Sequence, residues 1–141
     1  MGRVIAIDYG TKRTGVAASD PLRIIASPLE TVPTASLMEF LHGYIAAEPV
    51  DTIVVGKPLR MDGSPSDSFR HIEPFVGRLR REFPGVEVVY YDERFTSVLA
   101  HKAMIEGGVR KMDRRDKSMV DKISAAIILR DWLESRAAGR I

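Results

Sequence analysis

Cysteine is absent from the chain, so neither disulfide bonds nor thiolate metal sites are available to it. No apolar stretch approaches the roughly 18–20 residues that a membrane span needs. The run Val4-Ile5-Ala6-Ile7 is too short for the apolar region of a signal peptide and leads straight into Asp8. A cytoplasmic protein without a membrane partner is therefore expected. Histidine is scarce. His42, His71 and His101 lie singly on expected helices without ligand spacing, which argues against zinc. Repeats, linkers and low-complexity segments are missing too, so residues 1–141 are expected to form one domain large enough to bury a core without staples. There are no heptads and no long apolar run to make a dimer face, which points to a monomer or a weak homodimer.

The net charge of +2 is too small to imply nucleic-acid binding by itself. Placement says more. Between Gly108 and Lys122 stand six cations (Arg110, Lys111, Arg114, Arg115, Lys117, Lys122) against three anions (Asp113, Asp116, Asp121). Arg78, Arg80 and Arg81 form a second group on an amphipathic segment. A solvated loop or helix face explains such runs as readily as a polyanion site does.

The apolar periodicity alternates between two values. Strands are expected over Arg3–Asp8, Gly15–Ser19, Ser27–Val32, Thr52–Val55 and Val86–Asp92. Leu37, Phe40, Leu41, Tyr44 and Ile45 recur at helical spacing, with Thr34 or Ser36 as N-cap and Pro49 as stop. Gly56 to Ser68 is a loop, and a helix follows from about Asp67 to Phe83. Thr96 or Ser97 caps a helix running to Gly107-Gly108, and a last helix spans Ser118 to about Ala138. The order β-β-β-α-β-α-β-α-α implies an α/β layered domain with a mixed five-stranded sheet flanked by helices, of RNase H-like arrangement.

Three carboxylates stand at the edge of, or inside, apolar segments. Asp8 ends the first strand, Glu93 follows the fifth, and Asp121 interrupts the last helix. Each has an ordinary explanation. A strand-end Asp opens turns by accepting backbone N–H bonds. Glu93 can face the following helix dipole or pair with Arg94. Ser118-Met119-Val120-Asp121 matches a capping pattern. Against the cap, Asp121 shares a helical face with Ser124, Ala125, Ile128 and Trp132, a face suited to packing on a sheet. Two carboxylates about 4 Å apart repel by roughly 4 kcal/mol at an effective dielectric of 20, so a cluster of three needs cations or protons. All-oxygen ligation suits Mg²⁺ or Mn²⁺.

Four ordered segments make the pattern specific. They are Ile7-Asp8-Tyr9-Gly10-Thr11-Lys12-Arg13-Thr14-Gly15-Val16-Ala17-Ala18-Ser19-Asp20, Val55-Gly56-Lys57-Pro58-Leu59-Arg60-Met61-Asp62-Gly63, Asp92-Glu93-Arg94-Phe95-Thr96, and Val120-Asp121 through Leu129. Together they resemble the YqgF/RuvX family of RNase H-like proteins, described as Holliday-junction resolvases or pre-16S rRNA processing nucleases. The resemblance implies a catalytic and metal-binding set of Asp8, Glu93 and Asp121. It implies two-metal phosphodiester hydrolysis with Mg²⁺ or Mn²⁺, Asp8 bridging the ions and the other two acids each completing one coordination sphere. Gly10, Thr11, Lys12, Arg13, Arg94, Arg110, Lys111, Arg114, Arg115 and Lys117 would then contact nucleic acid. Lys57 and Arg60 depart from the usual family pattern, and as added cations they favour a polyanion. The partner is pre-rRNA or branched DNA; the lack of a dimer face favours RNA, because resolving a junction takes two symmetry-related cuts.

Two other readings remain at this point. Asp-x-Gly-Thr after a first strand also resembles the phosphate loop of the actin and sugar-kinase superfamily, but those proteins clamp nucleotide between two such lobes. The fold could also serve a non-catalytic RNA-binding ribosome-assembly factor.

Overall fold

The computed structural model describes residues 2–59, 62–93, 115–137 and 139, with the backbone alone for 115–119. Strands β1 (Arg3–Asp8), β2 (Arg13–Ser19), β3 (Ala26–Pro33), β4 (Val50–Lys57) and β5 (Glu87–Asp92) form one mixed sheet in the order β3-β2-β1-β4-β5. β1, β2 and β3 are joined as antiparallel hairpins, whereas β1, β4 and β5 run parallel. Helices α1 (Leu37–Ala47) and α2 (Phe69–Glu82) provide the crossovers into β4 and β5, and α3 (Arg115–Ala137) closes the described chain. The helix expected after Thr96 lies outside the described residues.

β1 is central and buried on both faces, which is why its apolar run is continuous rather than alternating. Its side chains divide by parity. Ile5 and Ile7 join Ile53, Val55 and the apolar sides of α1 and α2 in one core. Val4 and Ala6 join Ala17, Val54, Tyr91 and α3 in the other. The α3 side includes Ala6, Ala17, Ala125 and Ala126, small residues that let the helix lie close to the sheet. Trp132 and the buried Tyr91 hydroxyl, 2.9 Å from Ser135 Oγ, fix its far end. No helix among the described residues is long and apolar enough to cross a membrane.

Three departures from expectation bear on the site. α3 is already helical at Arg115, upstream of Ser118, because Arg and Lys are good helix formers and a charged turn can be helical without an apolar period. Asp121 therefore lies beyond the first turn and cannot be the cap that Ser118-x-x-Asp121 suggested. Neither Thr34 nor Ser36 caps α1 through its side chain. Instead the Thr34 hydroxyl donates to the Gly10 carbonyl at 2.6 Å and lies 2.9 Å from Thr14 Oγ1, while the Thr34 N–H donates to the Lys12 carbonyl at 3.0 Å. Thr34 thus staples the β1–β2 turn. β4 runs through Lys57, past the loop start expected at Gly56.

Candidate active site

Parallel pairing brings the carboxyl ends of β1, β4 and β5 to one edge of the sheet, where open α/β sheets place their sites. Asp8 is the last residue of β1 and only 9% exposed; by parity it follows Val4 and Ala6 on the α3 face. Its two neighbours on that face have no side chains. Gly15 is its pairing partner on β2. On the other side the pairing of Ile7 with Val55 carries Asp8 to the level of Gly56 on β4.

Both glycines are required by what lies over them. A Cβ on Gly15 would stand 1.9 Å from the Asp121 carbonyl oxygen, so the α3 backbone rests directly on β2 beside Asp8. A Cβ on Gly56 would stand 2.9 Å from Glu93 Oε1 and 2.9 Å from Ile128 Cδ1. Glu93, directly after β5 and 3% exposed, thus extends its carboxylate across the bare strand. Asp8 and Glu93 line one cleft of about 80 Å³ with Tyr9, Gly56, Pro58, Ser68 and Ile72. A glycine inside a strand often marks such a close approach, and this was the signal available in the sequence for Gly15 and Gly56.

Asp121 approaches from the helix. Arg13 Nε donates to Asp121 Oδ2, so a guanidinium holds this carboxylate at the mouth of β2. α3 crosses from Gly15 at Asp121 to Gly56 at Ile128, which lays Ser124 over β1 between them. Ser124 is fully buried, and its hydroxyl is the one buried side-chain polar atom among the described residues without a hydrogen-bond partner. Among the described residues, no three His, Cys, Asp or Glu side chains converge closely enough to hold an ion. The donor set nevertheless suits a hard cation. It holds two buried carboxylates in one cleft, a third on the adjacent helix, an orphaned buried hydroxyl three residues further along that helix, and no sulfur or imidazole.

The remaining candidates divide by position. Thr11 and Lys12 are exposed on the turn after Asp8, and Arg13 is exposed at the start of β2. Gly10 makes that turn possible, since a Cβ there would meet the Arg13 carbonyl oxygen at 2.3 Å. Lys57 is not beside the acids. It follows Ile53 and Val55 in parity, and its Nζ sits over the Phe69 and Tyr90 rings at 5.1 and 5.5 Å. Arg60, Arg94, Arg110, Lys111 and Arg114 lie outside the described residues, and Arg115 and Lys117 are described by their helical backbone alone.

The profile of the family "RuvX: Holliday junction resolvase" matches residues 2–135. The chain belongs to the RuvX family. The RNase H-like α/β arrangement expected for RuvX proteins is the one its five-stranded mixed sheet and flanking helices adopt. Close RuvX relatives cover the chain almost end to end. A protein of Parabacteroides distasonis is 55% identical over 96% of this chain and 97% of its own length. One of Bacteroides thetaiotaomicron is 54% identical over 96% and 99%. Both carry the name "putative pre-16S rRNA nuclease".

Two substitutions separate packing from chemistry at this site. Ser124→Ala is expected to raise stability by about 1 kcal/mol, because an unpartnered buried hydroxyl is removed, and yet to slow cleavage. Thermal melting and a cleavage assay on the same preparation check this; equal activity with raised stability would show that the hydroxyl does nothing in the site. Gly56→Ala meets only the flexible ends of Glu93 and Ile128. It should cost no more than about 1 kcal/mol of stability but at least about tenfold in cleavage, through displacement of Glu93.

Proposed function

We propose that the chain is a nuclease that hydrolyses phosphodiester bonds in structured RNA with Mg²⁺ or Mn²⁺, and that its substrate is the 5′ extension of pre-16S rRNA. The observation that carries this reading is the bare end of the sheet. Gly15 and Gly56 clear the space on either side of Asp8 into which α3 and Glu93 reach. The names of the relatives supply the substrate class.

Asp8, Glu93 and Asp121 would hold the cation. When bound, it would polarise a phosphoryl oxygen and make water a nucleophile at neutral pH. The chain's own contribution is position. Asp8 is fixed by a strand buried on both faces, and the turn that follows it is tied down by Thr34. Arg13 neutralises Asp121 and, with Lys12 and Thr11, presents donors to a flanking phosphate. Such contacts add affinity without sequence preference and make binding fall with salt.

The family's description favours a second substrate, the four-way DNA junction. Labelled pre-16S rRNA with its 5′ extension and a labelled four-way junction are each incubated with Mg²⁺, Mn²⁺ or a chelator. Discrete cleavage of the precursor, stopped by the chelator, is the expected result. Cleavage of the junction alone would transfer the reading to DNA. If neither is cut under any condition, the nuclease reading fails and a non-catalytic assembly factor takes its place.

A further inference from the structure

Among the described residues, Tyr9 lines two concavities at the carboxyl end of the sheet. One is the Asp8–Glu93 cleft. The other is a pocket of about 280 Å³ between the start of α1 and the middle of α2. The Tyr9 and Phe75 rings lie in its wall with centroids 4.9 Å apart and planes inclined by 34°, and Met38 and Pro74 also line it. His71 and Arg78, both exposed on α2, also line it. Arg78 is held by Glu82 one turn further along the same helix.

Aromatic and apolar walls with a guanidinium and an imidazole at the edge match an unpaired nucleotide, whose base stacks while its phosphate or base edge meets the donors. The position adds to the chemistry. Asp8 and Tyr9 are consecutive, and their side chains diverge to opposite faces of the sheet. A strand crossing the ends of β1 and β4 with a phosphate at Asp8 therefore brings an adjacent base over the edge to Tyr9. We propose that the Tyr9–Phe75 pocket is a subsite for an unpaired base next to the scissile phosphate, so that the substrate is single-stranded RNA at the cut and not continuous duplex. The position of that phosphate rests on the nuclease reading above. A paired base cannot enter the pocket without leaving its helix, which costs stacking and pairing that a single strand does not lose.

The test uses a short single-stranded RNA carrying 2-aminopurine at one position, moved along the sequence in successive probes, with the full-length protein in chelator so that no cleavage occurs. Stacking in the pocket quenches the fluorescence at one position. Phe75→Leu keeps an apolar side chain but removes the ring; it should relieve that quenching and weaken single-strand binding about tenfold. Binding to the fully paired duplex of the same sequence should not change. The exposed Arg78→Ala, which disturbs no core contact, gives an independent arm: weaker single-strand binding with a shallower salt dependence. Absence of quenching at every position overturns the subsite, as does parent-like behaviour of both variants. Cleavage without quenching leaves the nuclease standing and the subsite refuted. Quenching without cleavage in Mg²⁺ or Mn²⁺ supports the subsite and refutes the nuclease.

Discussion

Asp8→Asn is expected to slow cleavage of the RNA substrate by at least about a thousandfold, some 4 kcal/mol of transition-state stabilisation, while the protein stays folded. The two side chains have nearly the same shape, so packing between Gly15 and Gly56 is preserved while the charge and one acceptor oxygen are lost. With the packing kept, the melting temperature should hold within a few degrees. The ordinary alternative, a strand-end Asp that merely opens the turn, predicts the reverse: a lower melting temperature with near-normal activity. Single-turnover cleavage and thermal melting of one preparation distinguish the two.

Gly15→Ala is the second large effect, and it acts through the fold. The added methyl would lie 1.9 Å from the Asp121 carbonyl oxygen and 2.3 Å from its carbon, backbone atoms that cannot rotate away. α3 has to lift from β2, at a cost of about 1–3 kcal/mol, or several degrees in melting temperature. The same displacement carries Asp121 and Ser124 away from Asp8, so cleavage should fall further than the loss of folded protein explains. Gly43→Ala is the matching control. Gly43 lies in α1 with nothing within 4 Å of its would-be Cβ, and alanine there should stabilise by up to about 1 kcal/mol. Equal melting temperatures for the two variants would mean that α3 does not rest on Gly15.

Much of this was legible before the structure, and the part that was not has a physical reason. The apolar runs at Val4 to Ile7 and Thr52 to Val55 mark strands, and the amphipathic period of α2 marks a helix, because both signals are local. Asp8, Glu93 and Asp121 stood out for the same reason: a carboxylate beside apolar residues is costly wherever it lies. Their approach was not local. It depends on Gly15 pairing with Asp8 and on Gly56 falling beside it, which only strand register decides. The capping pattern at Ser118 misled because a short charged turn can form helix upstream of any apolar period. Lys57 was placed in a loop because Gly56-Lys57-Pro58 carries loop composition; as the last residue of β4 it points by parity toward Phe69 and Tyr90 instead. Thr34 left the cap role for the turn at Gly10, a partner 24 residues away that no local pattern could indicate.

Calorimetric titration with Mn²⁺ tests most directly whether the three acids, distant in sequence, form one cation site. The parent protein is compared with Asp8→Asn, Glu93→Gln and Asp121→Asn. Each variant should remain folded and lose at least about tenfold in Mn²⁺ affinity, because each removes a charged ligand from the same ion or pair of ions. If Glu93→Gln or Asp121→Asn binds Mn²⁺ as the parent does, the three carboxylates are not one site.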